Sequence, residues 1–196
     1  GVEGISISQD DKMSVHAYVT NHLDVPSIAY HFSTPDLPGK FDRLAAIEDG
    51  YDEKSIRDIA LDISESAKYR GPTRPSRSLL ISGDTSSDVP SFIEMKSSID
   101  VLVHESTFDD SLENKAASYG HSTARDAAKI ASHMDVNFLG LTHFSSRFQD
   151  LSHLEKEARS VFNESHILED GDRISIDLDG SIRLDRKGPE EWISIV

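Results

Sequence analysis

The chain opens on an alternation of apolar and polar residues. Ile5-Ser6-Ile7-Ser8 and the stretch 14–20, where Val15, Ala17 and Val19 share one face, have the period of two that marks half-buried strands. Asp10-Asp11-Lys12 supplies a turn between them, and 27–32 predicts a third strand. From 33 to 78 the pattern changes. Pro35, Pro38, Gly39, Gly71, Pro72 and Pro75 bracket two stretches of helical period, 41–48 and 54–68, the second with Ile56, Ile59, Ala60 and Ile63 on one side. Breakers at both ends predict an arm that departs from the core. Beyond it, 78–82 and 101–103 are continuous apolar runs, as strands covered on both faces require. The segment 92–97 predicts a short helix. A longer one over 123–134 carries Ala124, Ala127, Ala128 and Ala131 on one face, with Thr123 and Asp126 placed as a capping box. A strand at 137–141, a helix at 151–162 and a hairpin pairing 173–177 with 181–185 follow. Strands first, then strand and helix in alternation, predict an α/β fold.

Composition narrows the chemistry. With 196 residues the chain can bury one core of ordinary size. Cysteine is absent, so there is no disulfide framework and no thiolate metal site; any metal would rest on histidine and carboxylate. No apolar run reaches the roughly eighteen residues of a membrane span. The start, Gly1-Val2-Glu3-Gly4, lacks the features of a signal peptide, so a cytoplasmic location is expected. The net charge of −15 is unusual for a partner of nucleic acid, whose phosphates draw basic surfaces. Two readings stay open: an acidic, well-solvated surface with a local basic patch, or a partner other than RNA. Basic residues do cluster at Lys68, Arg70, Arg74 and Arg77, and again at Lys40 and Arg43.

Four short motifs stand at strand ends or helix starts, where α/β folds hold their chemistry. They are Gly83-Asp84-Thr85, then His104-Glu105-Ser106-Thr107-Phe108, then Gly120-His121-Ser122-Thr123, and finally Leu141-Thr142-His143-Phe144-Ser145-Ser146-Arg147-Phe148. Each alone has an ordinary explanation: an Asx turn for Asp84, a local helix-start bond for His121, a core histidine for His143. His104 reads as a buried histidine with one fixed tautomer. His16, His31, His133, His153 and His166 carry no motif.

In this order, from about Val15 to about Ile176, the motifs resemble the second half of ribonuclease Z, the tRNA 3′-processing endonucleases of the metallo-β-lactamase superfamily. The resemblance implies the C-terminal half of a metallo-β-lactamase-like αβ/βα sandwich: strands over 1–32, a short protruding arm over 33–78, and an α/β half over 79–196. It implies that His22 ligates a first metal ion, that Asp84 bridges two, and that His143 ligates the second. Glu105 and His121 would form a proton relay to the leaving 3′-oxygen, since a carboxylate beside an imidazole fixes its tautomer and supports its protonated form. Ser145, Ser146 and Arg147 would contact phosphate, and Lys40, Lys68, Arg70 and Arg74 on the arm would grip RNA. Two zinc ions, a precursor tRNA whose 3′ trailer is removed, and a homodimer complete the implied picture. Phe148 stands where the family usually has tyrosine. The family signature His-x-His-x-Asp-His does not occur in the chain. Three ligands are too few for two sites, so the expectation is that a complete enzyme needs another segment and that this chain alone is inactive; its abrupt start favours a fragment. The competing expectations are a metallo-β-lactamase-type phosphodiesterase of small substrates and a catalytically incomplete binding or dimer subunit.

Overall fold

A computed structural model describes residues 4–89, 92, 94–95 and 98–196. Seven strands form the main sheet and lie in chain order: β1 (Ile5–Gln9), β2 (Ser14–Thr20), β3 (Ser27–Ser33), β4 (Ser78–Ile81), β5 (Val101–Glu105), β6 (Phe138–Thr142) and β7 (Ser165–Ile167). β1 to β4 pair antiparallel, and β4 to β7 pair parallel. The change of direction follows from burial. In the antiparallel half Val19 stands opposite Ile28 and Ala17 opposite Tyr30, so apolar residues gather on one face. Ile5, Ile7, Val19, Ile28, Tyr30 and Ile81 on that face remain exposed. In the parallel half both faces are covered: Leu80, Leu102, Leu139 and Leu141 have no exposed surface. That is why these strands read as unbroken apolar runs.

The chain divides into two compact units, Pro35–Ser76 and the remainder. The smaller holds α1 (Arg43–Glu48) and α2 (Glu53–Leu61), started by Asp42 and Asp52, whose carboxylates accept from Ala45 and Ser55 N–H. Ala46, Ile56 and Tyr69 form its core. The helix expected over 54–68 stops at Leu61. Asp62 takes the N–H groups of Ser64 and Glu65 and the Ser64 hydroxyl on one carboxylate oxygen, a local set of bonds that competes with helix continuation. A single 3-10 turn, Ala67–Tyr69, follows.

In the larger unit α3 (Glu113–Tyr119), α4 (Ala124–Met134) and α5 (Ser152–Arg159) join the sheet. α4 buries the alanine face its period predicts, with Ala124, Ala127, Ala128 and Ala131 fully covered, and Thr123 and Asp126 form the capping box in both directions. β8 (Arg173–Ile176), β9 (Ile182–Lys187) and β10 (Trp192–Ser194) make a second antiparallel sheet. α3, β7 and β10 were not visible in the pattern; β7 and β10 have only three residues each, too few to show a period. Half of the helix expected at 92–97 lies outside the described residues; of the other half, Phe92 is buried. Among the described residues no helix is long and apolar enough to cross a membrane.

Candidate metal centre

The site lies beyond the C-terminal ends of β4, β5 and β6. Asp84 follows β4 through Gly83, whose φ is +64°. A Cβ there would stand 2.9 Å from the Ile28 carbonyl oxygen, so the turn admits only glycine. His121 follows Gly120, which closes α3 at φ +72°. A Cβ on Gly120 would meet Leu23 Cγ at 2.9 Å and the His22 backbone at 3.0 Å. That close approach lets the Gly120 carbonyl reach His22 Nδ1 at 2.8 Å. His143 is the first residue past β6 and itself has φ +57°. A bulky residue in this region costs about 1–2 kcal/mol, and such strain concentrates at functional sites.

Glu105, at the end of β5, is buried to 1% exposure and organises the interior of the site. Its Oε1 accepts from Thr85 N–H (3.0 Å) and from His121 Nδ1 (2.7 Å). Its Oε2 accepts from the N–H (3.1 Å) and the hydroxyl (2.8 Å) of Thr107. The same hydroxyl lies 2.9 Å from His143 Nδ1. A carbonyl and a carboxylate only accept, so His22 and His121 both donate from Nδ1 and keep Nε2 free. The rings form a row, with His22 to His121 at 4.7 Å and His121 to His143 at 5.3 Å between centroids. Asp84, His121 and His143 each offer a ligand atom within 4.8 Å of the others. His22 joins this trio through its ring contact with His121.

The donor set fits a metal. Asp84 Oδ2 stands 3.5 Å from His143 Nε2. Two ligands about 2 Å from one zinc ion in tetrahedral geometry are about 3.3 Å apart. Oxygen and nitrogen ligands without sulfur suit zinc or another first-row divalent ion.

A cleft of about 270 Å³ opens beside His121, lined by Thr107, Phe108, Lys115, Tyr119 and Arg147. Arg147 lies over the Phe108 ring at 5.1 Å and donates from Nε to Ser145 Oγ at 3.0 Å. Lys115 Nζ stands 5.9 Å from the Phe108 centroid and 5.8 Å from that of Tyr119. No acidic side chain pairs with it among the described residues. Ser145 N–H is bound to the Thr107 carbonyl, which turns the loop after β6 toward this cleft. Lys115 and Tyr119 stand outside every motif in the sequence, and Phe108 and the hydroxyls of Thr85 and Thr107 carry no role there. Thr85 and Thr107 did stand inside the motifs, one residue after Asp84 and two after Glu105.

The basic residues of the smaller unit are mostly engaged within it. Lys68 pairs with Asp49 at 2.6 Å, and that hydrogen bond, with the Tyr69 hydroxyl, holds its ammonium proton far above the usual lysine range. Arg70 donates to Ser66 Oγ, the Gly39 carbonyl and the Ala60 carbonyl, and Arg74 donates to the Pro38 carbonyl. Lys40 has no side-chain partner among the described residues and lines an open cleft with Phe41, Arg43 and Leu44.

No family model matches the chain. The ribonuclease Z of Haloferax volcanii is 35% identical over 178 residues, which cover 85% of this chain and 56% of the relative. That of Gemmatimonas aurantiaca is 34% identical over 186 residues, covering 89% and 59%. Both relatives are ribonucleases Z. It spans only 56% to 59% of the length of these two curated relatives. Among solved structures, a metallo-β-lactamase fold protein of Bacillus subtilis matches with a TM-score of 0.56 at 18% identity, over 93% of this chain and 54% of that one. A long-form RNase Z from yeast matches with a TM-score of 0.52 at 20% identity, over 80% and 17%. The chain thus has the metallo-β-lactamase fold that its motifs implied, over the part of it that these matches cover.

Proposed function

We propose that the chain supplies part of the metal ligands and the proton donor of a zinc-dependent endoribonuclease that removes the 3′ trailer of precursor tRNA. One observation carries this reading: the side chains of Asp84, His121 and His143, with His22 beside them, converge at the strand ends in a chain whose relatives include ribonucleases Z. His22 and His143 would hold zinc through Nε2, and Asp84 through its carboxylate between two ions. Zinc bound there would polarise the phosphodiester and furnish a hydroxide nucleophile. His121 faces the site with Nε2 while Glu105 holds Nδ1–H. A proton carried on Nε2 passes to the 3′-oxygen as the bond between phosphorus and that oxygen breaks. Arg147 and Lys115, which line the cleft beside His121, would take the phosphate of a neighbouring nucleotide, and Tyr119 would offer a stacking surface for its base.

The internal engagement of Lys68, Arg70 and Arg74 favours a second reading, a phosphodiesterase of small substrates, because it removes most of the expected RNA grip. One experiment separates the two. The chain is supplied in trans with the His-x-His-x-Asp-His segment of a relative, and zinc is added. On the first reading precursor tRNA is cut just 3′ of the discriminator base, Asp84→Ala abolishes cutting, and His121→Ala lowers turnover far more than RNA affinity. A small aryl phosphodiester cleaved by a mixture that neither binds nor cuts tRNA establishes the second. The chain by itself is expected to leave precursor tRNA uncut, because three ligands cannot fill two zinc sites.

A further inference from the structure

We infer that Thr107 is a positioning residue through which a buried carboxylate, Glu105, sets the tautomers of two histidines at once. The argument is a count of hydrogens. The Thr107 hydroxyl has one proton and two neighbours able to accept it, Glu105 Oε2 at 2.8 Å and His143 Nδ1 at 2.9 Å. Glu105 receives N–H groups from Thr85 and Thr107 and the Nδ1 of His121, so both oxygens act as acceptors. The hydroxyl proton therefore goes to the carboxylate, where the charge-assisted bond is stronger. The hydroxyl oxygen then accepts, and His143 must donate from Nδ1. His143 Nε2 is left as a bare lone pair, aimed at Asp84 Oδ2 3.5 Å away. Two acceptors face each other across that gap with no hydrogen between them, an arrangement that a cation resolves.

The relay has a structural need. His143 leaves β6 with a left-handed backbone and a side chain about half exposed, so packing alone does not hold its ring. The same carboxylate reaches His121 directly through its other oxygen. Glu105 thus orients one histidine by contact and the other through a single hydroxyl. This couples a residue proposed as proton donor to one proposed as ligand. The inference rests on the metal-site reading only for its purpose; the tautomer itself exists without metal.

The test uses the metal-free chain and long-range ¹H–¹⁵N NMR of its imidazoles. His143 should show Nδ1 protonated and Nε2 bare in the wild type. Thr107→Ser, which keeps the hydroxyl, should retain that pattern. Thr107→Val, of nearly the same shape, should shift His143 toward the Nε2-protonated form while His121 keeps its own pattern. Zinc affinity should then fall by about tenfold to a hundredfold in Thr107→Val and recover in Thr107→Ser. A wild-type His143 protonated at Nε2 overturns the relay whether or not any variant folds. So does a folded Thr107→Val with the wild-type pattern. A wild-type chain that takes up no zinc sinks the proposed function, and the relay is then decided by the tautomers alone.

Discussion

His31, His104 and His166 are buried to 4%, 0% and 5% exposure, and each is held below the ordinary histidine pKa. Burial is the first cause in all three. His16 adds to it at His31, and at His166 the Arg159 guanidinium does, donating to Nδ1 at 2.9 Å. The sign of the effect follows directly. Below pH about 6.5 the unfolded chain takes up protons that the folded chain refuses, so stability falls with pH from there down to each folded pKa. Each histidine removes up to about 1.4 kcal/mol per pH unit in that window. Thermal unfolding followed from pH 7.5 to 5 should show a falling midpoint, and a flat profile would contradict the burial of these rings as neutral groups. Carboxylates such as Asp52, whose pKa is lowered by the backbone N–H of Ser55, act only below pH about 4 and leave this window clear. At this scale the sequence showed the metal-site candidates but not their supports. Asp84, Glu105, His121 and His143 stand in motifs. The bond from Thr107 to His143 spans 36 positions and the one from Thr85 to Glu105 spans 20, and a threonine in either place has no local signature.

Among the elements, segments with a clear period or an unbroken apolar run were legible, and the three-residue β7 and β10 were not. The alanine face of α4 and its capping box could be read because eleven residues repeat the pattern three times over. The helix expected over 54–68 was misjudged at its end because Ile63 keeps the apolar period while Asp62 breaks the backbone pattern with its own side chain. Arg70 shows the same limit: a surface cation in the sequence, it closes the smaller unit through two carbonyls and a hydroxyl. Arg70→Ala should therefore destabilise that unit by about 2 kcal/mol, the loss of bonds from a charged donor. Amide exchange over Pro35–Ser76 would report it. Lys40→Ala should leave exchange unchanged and, if the unit grips RNA, lower the salt slope of binding by about one. Unaltered exchange in Arg70→Ala together with a reduced salt slope would reverse the two assignments.

For the whole molecule, an excess of 35 acidic over 20 basic residues leaves little cationic surface for RNA. Lys115 and Arg147 beside His121 are therefore set apart by position rather than by number. The fold was legible because the order of motifs matched the order of strand ends along β4, β5 and β6. The division into two units was marked by prolines and glycines at both ends of the smaller one. Titration of the chain with zinc, followed through its histidine side-chain NMR signals, tests the metal centre most directly. The Nε2 signals of His22 and His143 should move together, those of the exposed His133 and the half-buried His153 should stay, and Asp84→Asn should weaken binding by tenfold or more. Zinc that moves only His133 or His153, or an affinity indifferent to Asp84→Asn, would contradict it.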